Sequence, residues 1–541
     1  MRQNGMRGYD LPVYAYSPSE EQRTGTRIRH PVAVVGAGLT GLTAACDLAF
    51  RGIPAVVLDD DDTVGVRGLS SRGICYARRS LEIFDRLGIY PRIAEKGVTW
   101  KVGRVLSGDA ALYSFDLQPE EGQKHPPFIN LQQYYVEWFL VERFLELGVG
   151  ELRWKNRVVD VRNGADHVEL DVETPDGLYT VDAAYVLACD GANSLVRRKL
   201  GAAMSGETGD DRWCISDAVL STEFPTERWT WIEAPFNENR GVWQHLMGDD
   251  VWRLDFQMAP DADPDEIVHP EVVERRLREM LGPDVDFELV WVGPYFYRNH
   301  VLDRFRHGRV FFLGDAAHLM SPFGARGGNS GIQDADNVGW KLAMVLDARA
   351  PETLLDSYDT ERRAAALHNV RTTARSARFM APRGSAERAF RRAVLDLAKT
   401  FPFARAIVNA GRLSDAFDYS GSPLVRSGGT AASNAPVIAP DGAPRFLLDT
   451  LGSRFVLLLF GEIDAPDAAR LPVDVFAVRR TPADTPYPLL VDEYGLAFAR
   501  YDIQAPAAVL IRPDGHIAAR LDANDVGNLA AVLATAGGGT V

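Results

Sequence analysis

The sequence predicts an α/β plus α+β fold built from several domains, and three observations predict it. A buried strand, a glycine-rich turn and an apolar helix follow one another from residue 30. Strand-like segments rich in aromatics interrupt that pattern twice, and the tail from residue 433 runs strand, helix, strand, hairpin, helix. A chain of 541 residues exceeds one module by the usual allowance of about 150 residues per domain. With 46% apolar and 25% charged residues it has the balance of a globular chain able to bury large cores. The 59 basic and 74 acidic side chains leave a net charge of −15, which gives no global footprint for nucleic acid or an anionic membrane. Cys46, Cys75, Cys189 and Cys214 lie far apart, with no CxxC pair and no metal-ligand spacing. They read as buried thiols of a reducing compartment, so the expectation is a cytoplasmic protein without metal, signal peptide or membrane span.

Residues 1–29 are polar and aperiodic, an extension either mobile or draped over a neighbouring surface. Pro31 to Val35 then form a strand, followed by Gly36-Ala37-Gly38-Leu39-Thr40-Gly41, a helical stretch to Phe50, and a second strand from Ala55 to Leu58 that ends in Asp59. This is a Rossmann-like βαβ unit. Its glycines allow a tight turn, close approach of a pyrophosphate to the helix N-terminus, and close helix-to-strand packing. Asp59 can accept hydrogen bonds from a ribose, as a dinucleotide requires. The motif alone does not separate FAD from NAD.

Residues 95–128 and 205–300 read as an antiparallel sheet inserted between the pieces of that domain, which are 30–94, 129–204 and 301–375. Residues 376–432 are helical and end in a linker rich in glycine and serine. Residues 433–541 hold strands at Phe455–Phe460 and Val473–Val478, a hairpin turning at Pro513-Asp514-Gly515, and a terminal helix. That order looks like thioredoxin, which predicts a cis bond before Pro506 and, without cysteine, no dithiol chemistry. The tail is then dispensable for chemistry but not necessarily for stability, and truncation near Ser433 should leave turnover per bound cofactor largely intact while changing solubility or oligomeric state.

Two further segments separate the cofactors. A strand from Val310 ends in Gly314-Asp315, and a glycine-rich loop containing Pro322, Gly327, Gly328 and Asn329 leads to a helix from about Ile332. A strand at Tyr185–Ala188 leads to Cys189-Asp190-Gly191. With these motifs, residues 30 to 375 resemble the group A flavoprotein aromatic hydroxylases, single-component FAD monooxygenases that include para-hydroxybenzoate hydroxylase. The tail resembles the thioredoxin-like C-terminal domain of their phenol and polyketide hydroxylase branch.

The resemblance implies noncovalent FAD held by Gly36, Gly38, Leu39, Thr40, Gly41, Asp59, Arg72, Gln133, Asp190, Asp315, Pro322, Gly327, Gly328 and Asn329. It implies NADH or NADPH as transient reductant, a flavin C4a-hydroperoxide, and hydroxylation of an aromatic, phenolic substrate with O2. Pro322 is implied beside the reacting edge of the flavin. Where many relatives read Gly-Gln-Gly-Met-Asn, this chain has Ala325-Arg326-Gly327-Gly328-Asn329. Within the insertion, Trp213, Trp229, Trp231, Trp243, Tyr295 and Tyr297 suggest a planar apolar substrate, and His245, Tyr295 and Tyr297 are candidates to polarise a phenol. His318 reads as a structural hydrogen-bonding residue. Trp229-Thr230-Trp231 lacks the register of a halogenase box, and a strand face lining a cavity explains the pair. The alternatives are another FAD oxidoreductase or halogenase of the same fold, and a catalytically silent FAD-binding protein. A homo-oligomer through the tail is expected.

Overall fold

A computed structural model describes residues 8–65, 73–108, 110–117, 120–221, 223–382, 384–409 and 414–539. Strand Arg29–Val35 lies at the centre of the first sheet, parallel to Ala55–Leu58 on one side and to Gly177–Ala188 on the other. The second of these continues to Val310–Phe312, also parallel. In register, Val35 stands opposite both Leu58 and Ala188, and Ala188 opposite Phe312. Four strands therefore end on one edge, and the residues that follow them, Gly36, Asp59, Asp190 and Asp315, meet there although nearly 280 positions separate the first from the last. Ligands of open parallel sheets bind outside these carboxyl ends. Burial on both faces explains why the strands read as continuous apolar runs.

The second sheet is the inserted one. Its order runs His318–Leu319, Phe287–Leu302, Met204–Leu220, Val251–Met258, Arg240–Leu246, Arg228–Ala234, Val102–Ser107, Ala110–Asp116. Both inserted segments join one sheet because Val102–Ser107 pairs in parallel with Arg228–Ala234. The face toward the first sheet carries Trp213, Trp243 and Tyr295. The opposite face carries Cys214, Trp231, Val242 and Phe256, over which helix Pro270–Leu281 packs its Val273 and Leu277.

The tail forms a third sheet. Phe455–Phe460 runs parallel to Val473–Arg479 and antiparallel to Ala507–Ile511, which pairs with Ile517–Asp522. That central order is the thioredoxin one, and strands Pro436–Ile438, Pro444–Phe446 and Leu489–Val491 extend its edge. The expected cis bond is not there: no cis peptide occurs among the described residues, so Ala505–Pro506 is trans. A proline preference alone sets no isomer, since most X–Pro bonds in folded chains are trans. Between the first two central strands only a single turn, Pro466–Arg470, takes the place of the expected helix.

The N-terminal extension is draped. Tyr14 stacks on Trp154 with ring centroids 4.6 Å apart. The short helix Glu20–Thr24 buries Glu21 against His30 at 2.8 Å and Arg153 at 3.0 Å. Burial would raise the Glu21 carboxyl, but His30 and Arg153 hold it down at about 2. No helix among the described residues is long and apolar enough to cross a membrane.

Candidate active site

The cleft between the first two sheets has a volume of about 960 Å³. Its inner half is built from the strand ends. Gly36 has φ +100, and a Cβ there would stand 2.6 Å from the Cys189 carbonyl oxygen. At Gly41 a Cβ would meet the Gly36 oxygen at 1.9 Å. The first glycine thus lets two strand ends approach, and the second lets helix Leu39–Phe50 sit on the turn. The Leu39 N–H at that helix start donates to Glu137 Oε1 at 2.9 Å, and Gln133 Nε2 donates to the same oxygen at 2.8 Å. Thr40 fills the space beside Gly314 and Gly331, neither of which could carry a Cβ next to its hydroxyl.

Asp59 accepts from the N–H groups of Ala37 at 2.5 Å and Asp61 at 2.8 Å. Burial pushes its carboxyl up to about 6 against the pull of those two donors. Because its folded value lies above the unfolded one, the folded chain binds more protons between about pH 4 and 6, and FAD-free stability falls as pH rises through that window. Asp59→Asn is expected to remove this loss and to weaken FAD binding. Thermal midpoints of the FAD-free forms at pH 5 and pH 7 check it, and an equal fall in both proteins refutes it.

Asp190 caps the short helix Leu195–Lys199 by accepting from the Val196 N–H at 3.0 Å, and its buried Oδ1 has no hydrogen-bond partner among the described residues. Burial raises its carboxyl despite Ser194 and the local N–H groups. Asp315 lies across the same edge. The loop after it departs from expectation: the helix begins at Arg326 and not near Ile332, so Gly327, Gly328 and Asn329 form its first turn. The cause is a left-handed pair, Gly324 at φ 76 and Ala325 at φ 53, which reverses the chain earlier than the glycine count suggests. An alanine in that region costs of order 1 kcal/mol or more, so Ala325→Gly is expected to raise stability by about 1 kcal/mol, read from chemical denaturation. A lower stability would show that the helix start holds Ala325 without strain.

Asn329 ties the loop to the first sheet's neighbour strand Cys75–Ala77, accepting from Ala77 N at 3.0 Å and donating to the Cys75 carbonyl at 2.9 Å. The buried Arg326 donates to Asn369 at 2.6 Å. His318 is structural, as its position suggested: its Nε2 lies 2.7 Å from Asp334, which also accepts the Gly314 N–H at 3.0 Å. Arg72 lies outside the described residues, and so does the Tyr297 side chain.

The outer half of the cleft belongs to the second sheet. Trp213 and Trp243 stack with centroids 4.5 Å apart and planes 24° apart, and Phe323 stands edge-on to Trp243 at 5.1 Å. Tyr295, His245, Met320 and Pro322 line the same space. Trp229 and Trp231 do not: both join the apolar cluster on the sheet's far face. Thr230 pairs with Trp243, so alternation places Thr230 on the cleft-side face of the sheet and its two neighbours behind. Three charged residues that the sequence reading did not name, Arg228, Arg253 and Asp255, line the cleft instead. Along the chain Arg253, Asp255 and Gln257 alternate with apolar residues, which puts them on one strand face without telling what that face meets, and Arg228 carries no comparable signal. Among the described residues no group of histidine, cysteine and acidic side chains could hold a metal.

A glycine cradle at a helix N-terminus, carboxylates at the strand ends, an orphaned buried Asp190 oxygen and an aromatic chamber beside them fit a dinucleotide whose planar ring faces a second ligand. They define a flavin-dependent enzyme. The chain belongs to the family described as FAD binding domain, which matches residues 29–373. It is 30% identical to an anhydrotetracycline monooxygenase of Streptomyces rimosus, over 91% of this chain and 95% of the relative. It is 28% identical to a 3-(3-hydroxy-phenyl)propionate/3-hydroxycinnamic acid hydroxylase of Mycolicibacterium gilvum, over 90% and 88%. Among solved structures, the flavin-dependent monooxygenase PieE in complex with FAD and substrate superposes with a TM-score of 0.81 at 25% identity, covering 94% of this chain and 99% of that one. The Streptomyces rimosus anhydrotetracycline hydroxylase OxyS superposes with 0.73 at 28%, covering 95% and 100%. The protein is an FAD-dependent aromatic monooxygenase.

Proposed function

We propose that the protein hydroxylates a phenolic ring held between the flavin side of the cleft and the Trp213–Trp243 stack, with NADH or NADPH as reductant. The stacked indoles in the cleft that Pro322 also lines carry this reading, because an indole pair offers a flat apolar wall that selects a planar apolar ring. Bound FAD supplies hydride acceptance and oxygen activation. The chain's own residues would supply the rest: Gly36 and Gly41 would make room for the pyrophosphate, Asp59 would take the ribose, and the N–H groups of Gly327 and Gly328 in the first turn of their helix would serve the polar part of the ring. Trp213, Trp243 and Phe323 keep water from the substrate face. His245 and Tyr295 line the chamber within reach of a bound phenol and are proposed to orient its hydroxyl.

The test is NAD(P)H oxidation across a panel of simple and polycyclic phenols. The expected result is stimulation by at least one, with a product heavier by one oxygen atom. A chlorinated product would move the protein to the halogenases, and the absence of stimulation by any phenol would favour a silent flavoprotein. Asp315→Ala is expected to weaken FAD binding by about 1–3 kcal/mol through loss of charge-assisted hydrogen bonds. Fluorescence titration of FAD into the FAD-free variant measures this, and unchanged affinity removes Asp315 from the site. A homo-oligomer formed through the tail would use its outward face, because the inner face is committed to the rest of the chain.

A further inference from the structure

The outer wall of the cleft carries a charge that the chain itself does not neutralise. Alternation delivers Arg228, His245, Arg253 and Asp255 to one face of three adjacent strands, with His245 paired in register to Arg253. Arg253 is satisfied: Nε and Nη2 donate to the two oxygens of buried Asp217 at 2.8 and 2.9 Å, and Tyr9 of the N-terminal extension donates to the same carboxylate at 2.5 Å. Arg228 has neither a hydrogen bond nor an ion pair among the described residues. Its Nε is buried, and its guanidinium lies 5.9 Å from the centre of the Trp100 ring. His245 Nε2 stands 3.9 Å from Asp255 Oδ2, beyond hydrogen bonding, while His245 Nδ1 and Asp255 Oδ1 are buried without hydrogen-bond partners among the described residues.

Folded chains leave few buried polar groups unpaired, so three such groups on one cavity wall mark where a ligand completes the set. Burial pushes the Asp255 carboxyl up to about 7, and burial with the two arginines holds His245 well below its ordinary range. At neutral pH the histidine is uncharged, Asp217 cancels Arg253, and Asp255, with its carboxyl at about 7, is only about half ionised, so part of the positive charge of Arg228 is left over.

We propose that Arg228, flanked by His245 and Asp255, is the subsite for an ionised oxygen of the aromatic substrate, a carboxylate or an enolate. The inference rests on the aromatic-hydroxylation reading and narrows its substrate class to acidic phenols. The apolar end of the cleft takes the ring, the charged end takes the oxyanion, and their separation orients the ring in its plane. A guanidinium fork matches a planar two-oxygen anion and recovers on binding the cost of standing unpaired.

Two ligand pairs test this on the FAD-loaded protein, with affinity read from the change in absorption of bound flavin. 2-Naphthoate against 2-naphthamide probes a carboxylate, and 4-hydroxycoumarin against 4-methoxycoumarin probes an enolate. The wild type is expected to prefer the ionised member of at least one pair by about tenfold or more, and the pair that responds identifies the source of the oxygen. Arg228→Met is expected to abolish that preference while leaving FAD content and the affinity for the neutral member unchanged. Arg228→Lys should retain part of the preference and provides the comparison if the methionine variant does not fold. No preference in either pair, no binding of either anion, or a preference that survives in Arg228→Met overturns the subsite. If phenols stimulate NAD(P)H oxidation and the preference is absent, only the subsite falls. If the preference holds and no phenol stimulates oxidation, only the catalytic reading falls.

Discussion

Gly36→Val is expected to yield a colourless protein that takes up no added FAD. The physical reason goes beyond the blocked pyrophosphate that the glycine pattern suggests. A Cβ at residue 36 would lie 2.6 and 2.9 Å from the carbonyl oxygen and carbon of Cys189 and 3.2 Å from Asp190 Cα, all of them backbone atoms that cannot swing away. The residue also sits at φ +100, which a β-branched side chain does not adopt. Strand ends Val35 and Ala188 would have to part, and the carboxylates of Asp59 and Asp190 would part with them. The loss is therefore expected in both FAD content and thermal midpoint. Gly41→Ala, whose Cβ would meet the Gly36 oxygen at 1.9 Å, should show the same pair of losses. A yellow, FAD-loaded Gly36→Val protein would refute the cradle.

Arg512→Ala is expected to destabilise the protein by about 3–5 kcal/mol, the usual result of removing one partner from a buried ion pair. Arg512 reaches from the tail into the first domain, where Nη1 and Nη2 donate to the two oxygens of Glu361 at 2.5 and 2.8 Å and Nε donates to Asp514 at 3.0 Å. Lys341 donates to the same Glu361 at 2.8 Å, and Trp340 Nε1 to Asp514 at 3.0 Å. Both Arg512 and Glu361 are fully buried. Burial would raise the Glu361 carboxyl, but Arg512 and Lys341 hold it well below the carboxylate range, and burial pulls Lys341 down to about 8. Denaturant unfolding of Arg512→Ala against the wild type measures the effect, and a change under about 1 kcal/mol would show that the pair contributes little.

The same network gives the physical reason why removing the tail changes solubility or stability. Trp340 and Leu354 of the first domain share an apolar cluster with Leu457, Leu459 and Leu510 of the tail, and Arg79 pairs with Asp336 at 3.2 Å while also donating to the Asp514 carbonyl. Cutting near Ser433 uncovers that cluster and strips Glu361 of its arginine. The truncated chain is therefore expected to be insoluble or unstable, whatever its chemistry. Glu361 adjoins Arg362, which donates to Asp334 at 2.6 Å, and Asp334 holds Gly314 beside Asp315. The tail thus supports the cofactor loop through two helix residues. A soluble, FAD-loaded and active truncation product would refute this.

By itself the sequence determined the FAD half of the site, because a phosphate cradle is local chemistry. Gly36 and Gly41 are required by backbone approach within one turn, whereas a Cβ at Gly38 would meet nothing closer than Glu137 Oε1 at 3.9 Å, and carboxylates that follow buried strands, as at Asp59, Asp190 and Asp315, gather at the strand ends. Only the tertiary structure decided the rest. Strand alternation tells that Trp229 and Trp231 share a face but not which face, and the pairing of Thr230 with Trp243 settled it against the cleft. Arg228 and Asp255 read along the chain as ordinary charges, because the absence of a partner is a property of the space around a residue. Asp514 reads as the polar tip of a hairpin turn, and it is buried because another domain folds over it. Contacts between distant segments depend on how sheets and helices stack, and a linear pattern of apolar and charged residues leaves that stacking open.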